Sequence, residues 1–187
     1  MTWTPAPLPL LQPLRLDDGT ELDTLTLRAF TVGDHRAAIK KAGKDEDEQF
    51  EVLAAVATGL TTDQVGALCR PDYISLSKRI FEYLTTPTAA VLGRELDPDD
   101  FELLVPYRSA GRDIERARLV MPAVKTVKLM RAHKTPEEQT DFITCACTGL
   151  LPHDLPNMSV PDWIQLQGRL DDFLNKPADY FRKAIST

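Results

Sequence analysis

The stretch Pro71-Asp72-Tyr73-Ile74-Ser75-Leu76 returns, 90 residues on, as Pro161-Asp162-Trp163-Ile164-Gln165-Leu166. Over the 17 positions from Pro71 to Pro87 the copies share seven identities: Pro71, Asp72, Ile74, Leu76, Arg79, Leu84 and Pro87. Average residue usage would give about one by chance. The mismatches keep their chemistry: Tyr73/Trp163, Ile80/Leu170, Glu82/Asp172 and Tyr83/Phe173. Self-similarity at a fixed period is the signature of a repeat architecture. The register holds upstream, where Thr58-Gly59-Leu60 faces Thr148-Gly149-Leu150, Gln49 faces Gln139 and Lys44 faces Lys134. Further upstream the offset is 92, aligning Gly19, Leu22 and Leu27 with Gly111, Ile114 and Leu119. A two-residue shortening of the second copy between Leu119 and Lys134 accounts for the change.

Each copy reads as the same series of elements. Leu14 and Leu16 alternate with Arg15, Asp18-Gly19 follows, and Leu25 and Leu27 alternate with Thr24 and Thr26. Alternation on both sides of an Asp-Gly pair is a hairpin signal. The second copy repeats it more weakly over Leu103–Tyr107, Gly111 and Asp113–Leu119. Thr31 and Asp34 form a capping pair for a helix that runs to Ala42 and ends at Gly43. A second helix starts at Asp45. Its counterpart starts at Thr135, with Pro136 at the first helical position and Glu138 to close a capping box. Gly59 and Gly149 suit the left-handed position after these helices. Thr62 to Cys69 reads as helical, and Pro152 and Pro156 break its counterpart. The last long helix of each copy is read as capped by Asp72 or Asp162. Its apolar face is read as Ile74, Ile80, Phe81 and Leu84, or Ile164, Leu170, Phe173 and Leu174. Short helices follow at Pro87 to Leu96 and Pro177 to Ala184, and Asp97-Pro98-Asp99-Asp100 reads as a solvated linker. The expected fold is α+β and mainly α. Two tandem units, 1–96 and 97–187, each carry an N-terminal β-hairpin followed by about four short helices.

Composition narrows the function classes. The chain has 187 residues, enough for one ordinary domain or two small ones. Hydrophobic residues make up 43% and charged residues 27%, the balance of a folded globular chain. The formal net charge is −6 and no basic stripe stands out, so no nucleic-acid partner is expected. A helix-turn-helix reading of residues 62–84 fails on charge. Lys78 and Arg79 stand almost alone beside Glu82, and Asp171 and Asp172 make the second copy's helix acidic. No apolar run reaches the length of about 18 residues that a membrane helix needs, so no membrane partner is expected. Met1 to Pro13 is apolar and proline-rich but has no basic leader region. The three cysteines, Cys69, Cys145 and Cys147, show no framework spacing, which points to reduced thiols in a cytoplasm.

No catalytic constellation emerges. His35, His133 and His153 are scattered. Cys145 and Cys147 sit two apart on a helix, facing different sides, where they cannot share a metal, and their counterparts are Ala55 and Ala57. No nucleophile–base arrangement and no Gly-rich phosphate loop is present. The acidic run Asp45-Glu46-Asp47-Glu48 lacks the alternating ligand spacing of a calcium loop and sits where a helix dipole favours carboxylates. No enzymatic activity, cofactor or metal is therefore expected. Tyr73 and Trp163 occupy equivalent helix-start positions, either as core aromatics or as partner anchors. With Phe81 they are the candidate partner-binding residues.

The order of features resembles the phage tail assembly chaperones of the Mu and P2 type. The resemblance rests on the early Gly-turn hairpin, Leu27-Arg28, Asp34, Ala57-Thr58-Gly59-Leu60, Asp72-Tyr73 and a closing amphipathic helix. It covers residues 10–86. The second copy keeps the Thr-Gly-Leu and Asp-aromatic elements but has Leu119-Val120 at the first position and Thr126 at the second. The resemblance implies a non-enzymatic protein in the host cytoplasm that binds the long helical tape-measure protein, or other tail proteins, and keeps it soluble during tail morphogenesis. Self-association is a further expectation. The competing reading is a structural tail, virion or tail-completion protein whose duplicated unit mimics two subunits of a ring.

Overall fold

A computed structural model describes residues 3–185, and the side chains of residues 3–182. The element order is β1 (Leu8–Arg15), β2 (Glu21–Leu25), α1 (Val32–Ala42), α2 (Glu46–Thr58), α3 (Thr62–Gly66), α4 (Arg70–Thr85) and α5 (Thr88–Leu92). The series then repeats as β3 (Asp100–Ser109), β4 (Arg112–Arg118), α6 (Val124–Met130), α7 (Pro136–Thr148), a 3-10 turn at Leu155–Asn157, α8 (Val160–Asn175) and α9 (Ala178–Ile185). The fold is α+β, with two hairpins each followed by helices. The second hairpin, read as the weaker, has the longer strands. It closes through a two-residue turn in which Ala110 and Gly111 both take positive φ, the form that matches strand twist.

Both hairpins carry the same irregularity. The β1–β2 register slips between Pro9 and Leu14, and the β3–β4 register slips between Glu102 and Tyr107. Pro13 and Pro106 lie inside these bulges, where a residue without an N–H is tolerated. At an offset of 93 residues, Leu11-Gln12-Pro13-Leu14-Arg15 and Leu104-Val105-Pro106-Tyr107-Arg108 share Leu, Pro and Arg. The bulge itself is thus part of what was duplicated.

The local stop and start signals act as expected. Thr31 and Asp34 form a full capping box on α1, and Thr135 and Glu138 form one on α7. Gly59 and Gly149 take the left-handed conformation at the ends of α2 and α7. The threonine before each glycine bonds back to a helix carbonyl and accepts the N–H of the following leucine, in both copies. Two expectations are corrected. Helix α3 stops at Gly66, before Leu68 and Cys69. Asp97–Asp100 is not a free linker, because Asp99 holds Arg169 in a bidentate pair at 2.7 and 3.0 Å and Asp100 opens β3, paired with Arg116 at 2.8 Å.

Each repeat has its own apolar cluster under its hairpin. The first gathers Leu8, Leu25, Phe30, Leu53, Leu76 and Ile80, the second Phe101, Ile114, Ile143, Met158, Leu166 and Leu170. Residues cross both ways: Val160 lies in the first cluster with Ile164 packed against it, and Val32 lies in the second. The repeats therefore pack on each other. The Val32 N–H donates to the Met158 carbonyl at 2.9 Å, and Arg36 makes a bidentate pair with Asp141 at 2.7 and 3.0 Å.

Candidate functional site

Asp72 and Asp162 are not the caps of their helices. Helices α4 and α8 begin at Arg70 and Val160, with Cys69 and Ser159 as N-caps, so each aspartate lies three residues past the cap, at the third helical position. The reason is tertiary. The Asp72 carboxylate accepts the N–H groups of Leu11 (2.9 and 3.0 Å) and Gln12 (3.2 Å), the donors that the bulge of β1 leaves without strand partners. Asp162 does the same for Leu104 (2.7 Å) and Val105 (3.2 Å). Each aspartate thereby latches its hairpin to its closing helix. Burial would raise the Asp72 carboxyl, but the Cys69 thiol and the two amides donate to the charged form and hold it below its ordinary value. The same contact pushes the Cys69 thiol up.

This latch sets which side of α4 is buried. Asp72, Leu76, Ile80 and Tyr83 point inward, whereas Ile74 and Phe81, read from sequence as core, are 53% and 66% exposed. They lie seven apart on one helix face, so α4 presents an apolar stripe to solvent.

A groove of about 450 Å³ lies on another side of α4, lined from that helix by Arg79, Ile80, Glu82 and Tyr83. Its floor is Leu27, Phe30, Ile80 and Tyr83, with Trp3 along one side and Val91 of α5 at the end. The aromatic rings form a set: Phe30 to Tyr83 at 4.7 Å and Trp3 to Tyr83 at 6.0 Å, nearly parallel. The Tyr83 hydroxyl donates to the Phe30 carbonyl at 3.0 Å, and burial pushes its pKa upward. Arg28, Arg79 and Glu82 stand at the rim. Arg28 is held in place: Nε donates to the Val56 carbonyl at 2.7 Å and Nη1 to Asp34 at 3.1 Å. Asp34 in turn closes the α1 capping box. Burial would raise the Asp34 carboxyl, but Arg28 and the Thr31 N–H hold it low. Leu27-Arg28 and Asp34, separate marks in the sequence, are one network here. The second repeat lacks both partners, with Val120 and Thr126 in their places.

In the second repeat the counterpart of α5 is α9, and Phe181 stands there in the place of Val91. Arg169, Leu170, Asp172 and Phe173 match Arg79, Ile80, Glu82 and Tyr83. Onto them folds α9, a strongly amphipathic helix. Phe181 meets Phe173 at 5.8 Å, Arg169 lies over both rings at 5.1 and 4.7 Å, and the Tyr180 hydroxyl donates to Asp172 at 3.1 Å.

The three residues singled out from sequence are not brought together. Phe81 is on the exposed stripe and does not line the groove. Tyr73 packs edge-on to Phe50 at 4.9 Å, with Arg70 over its ring at 5.4 Å. Trp163 is half-buried against the second cluster, and the first repeat's Arg36 stands over it at 5.4 Å. Sequence reading missed Trp3, Phe30 and Tyr83. The only available hint was the tyrosine–phenylalanine match at 83 and 173. Among the described residues no group of three or more His, Cys, Asp or Glu side chains is placed to hold a metal, and no helix is long and apolar enough to cross a membrane.

The chain matches the family described as "Phage tail assembly chaperone proteins, E, or 41 or 14" twice, over residues 8–85 and 100–175. No curated protein and no solved structure matches it. The two matched stretches enclose the two hairpin-to-closing-helix series, each with its bulge, aspartate latch and Thr-Gly-Leu turn. The chain belongs to the phage tail assembly chaperone family, with the family's unit present in two copies.

Proposed function

We propose that this chain is a non-enzymatic chaperone that takes an amphipathic helix of the tape-measure protein into the Tyr83 groove and keeps that client soluble in the host cytoplasm until the tail tube forms. One observation carries the reading. The groove of the second repeat is already covered by an amphipathic helix, α9, through Phe181 on Phe173 and Arg169. The first groove offers the matching Arg79 and Tyr83, with the smaller Val91 of α5 in the place of Phe181 and Trp3 beside it. Helix-in-groove recognition needs an apolar trough with a charged rim, and a long helical client needs its apolar stripes covered. Phe81 and Ile74 form a second exposed apolar stripe on another side of α4 and are further anchors proposed for the client. On this reading residues 1–96 form the client-binding unit, and residues 97–187 form a unit that holds its own groove shut.

The test is co-expression with the tape-measure gene. The client should be recovered soluble and in complex with the chain. Phe81→Ala and Arg79→Glu should reduce recovery while leaving the circular dichroism of the chaperone unchanged. A client equally soluble with either variant overturns the groove assignment. Detection of the chain in purified virions by mass spectrometry would favour a structural tail protein instead.

A further inference from the structure

Matching arginines in the two repeats have unequal surroundings. In the second repeat the Arg169 side chain is only 9% exposed. Asp99 holds its guanidinium in a fork at 2.7 and 3.0 Å, and the guanidinium lies over the Phe173 and Phe181 rings at 4.7 and 5.1 Å. Beside it the Tyr180 hydroxyl donates to Asp172. A carboxylate and a pair of rings thus enclose one arginine.

The first repeat keeps the arginine and loses what encloses it. At the offset of 93 that aligns the two bulges, Ala6 stands where Asp99 stands. The same offset sets Leu8 against Phe101, and both are buried. At the offset of 90, Ala90 and Val91 stand where Tyr180 and Phe181 stand. Ala6 and Val91 line the groove together with Arg79. Arg79 is exposed, and among the described residues its guanidinium has no ion pair, hydrogen bond or ring contact. Arg28, the other cation at the rim, is already held by the Val56 carbonyl and Asp34. Glu82 pairs with Lys78 at 3.9 Å. Arg79 is therefore the rim cation left to a partner. A guanidinium beside an aromatic floor is satisfied by a carboxylate that fits its fork and a ring that meets its face.

We propose that the groove selects its client helix by an aromatic residue and a carboxylate three or four positions apart. The ring lies on Tyr83 in the place of Phe181, and the carboxylate lies on Arg79 in the place of Asp99. Residues at that spacing share one helix face. The inference rests on the groove reading of the proposed function and adds the chemistry of the occupant. A lysine in the carboxylate's position would meet Arg79 as a like charge, which rejects that segment. An aliphatic residue in the ring's position would forgo the aromatic contact with Tyr83 and Arg79.

Fluorescence anisotropy of the full chain with labelled, overlapping peptides that tile the tape-measure protein tests the proposal. The peptides that bind should carry the aromatic–carboxylate pair. Replacing that carboxylate with lysine should weaken binding to the wild-type chain about tenfold or more, because a paired charge becomes a like charge. The Arg79→Glu chain should reverse the preference and bind the lysine peptide better than the original. Ala6→Asp, which sets a carboxylate beside Arg79 as Asp99 stands beside Arg169, should also weaken the original peptide. Val91→Phe should close the groove to every peptide. Ala6 and Arg79 are exposed and Val91 is half-buried, and circular dichroism checks that the variants stay folded. Binding that Val91→Phe abolishes but that ignores the peptide's carboxylate overturns this inference and leaves the groove reading standing. Binding that survives Val91→Phe, or a set of peptides of which none binds, overturns both.

Discussion

Asp72 accepts the Leu11 main-chain N–H with both carboxylate oxygens, at 2.9 and 3.0 Å, across a sequence separation of 61 residues. Asp162 and Leu104 repeat the contact at 2.7 Å, where Ser159 and Thr88 also donate to the carboxylate. Removing either aspartate leaves bulge amides buried without an acceptor. Asp162→Ala should cost about 2–4 kcal/mol and Asp72→Ala less, because the second carboxylate is more completely enclosed and carries two hydroxyl donors. Urea unfolding at neutral pH measures both. Equal costs near zero would mean that the hairpins do not need the latch.

Acid should unfold the chain partly through Asp72 and Asp154. Burial pushes both carboxyls up, but their donors win: Cys69 and the two amides for Asp72, and Ser109, the Leu151 N–H and Arg112 for Asp154. Both folded pKa values therefore lie below the unfolded value of about 3.9. The stability they contribute is fully present above that value and is lost as the pH falls through the lower folded values. Urea midpoints should drop on the acid side. In Asp154→Asn that drop should be shallower, and an unaltered slope would remove Asp154 from the account.

Arg36 couples the repeats through charge and ring contact together. It is paired with Asp141 in a fork and lies over Trp163. Arg36→Ala and Asp141→Ala should each cost about 1–2 kcal/mol, with a favourable coupling in the double-mutant cycle. Additive costs would show that the pair contributes nothing beyond its parts.

Gly33 tests how closely the repeats meet. A Cβ there would lie 2.9 Å from the Pro156 carbonyl oxygen and 3.0 Å from its Cβ, and Pro156 is backbone-fixed at that point. Gly33→Ala should therefore cost about 1–3 kcal/mol by forcing α1 away from the 3-10 turn. Lys125→Ala, at the matching position of the exposed α6, should change the unfolding midpoint little. Equal effects at the two sites would contradict the close approach of α1 to the 3-10 turn.

Cys147 should resist alkylation in the folded chain. It is buried, and burial pushes its thiol up to about 11, so little thiolate forms at pH 8. Rapid modification before unfolding would mean that α7 opens locally.

Signals confined to a few neighbouring residues were legible without coordinates. The capping boxes at Thr31 and Thr135, the glycines after α2 and α7, and both hairpin turns depend on hydrogen bonds and φ angles spanning four or five residues. The Leu-x-Pro bulge was equally present in the sequence but hidden by its own offset of 93, which departs from the 92 seen on the neighbouring strands. The role of Asp72 was not legible, because an aspartate at a helix start serves equally as a cap. Only the nearness of β1 decides that it takes the bulge amides instead. That choice also turns Ile74 and Phe81 outward, although periodicity alone places them on the apolar side.

The sequence by itself determined that one hairpin-and-helices unit occurs twice and belongs to this chaperone family, since local hydrogen bonding and residue identity are carried along the chain. The tertiary structure alone decided how the copies differ. Val32 is buried in the neighbouring repeat while Val124 faces solvent. One groove is covered by α9, while the other is bordered by Trp3 and open between its walls. Equivalent residues acquire unequal surroundings because α1, α4 and α5 of the first repeat pack on the second repeat, while α6 of the second repeat has no such neighbour and buries no residue.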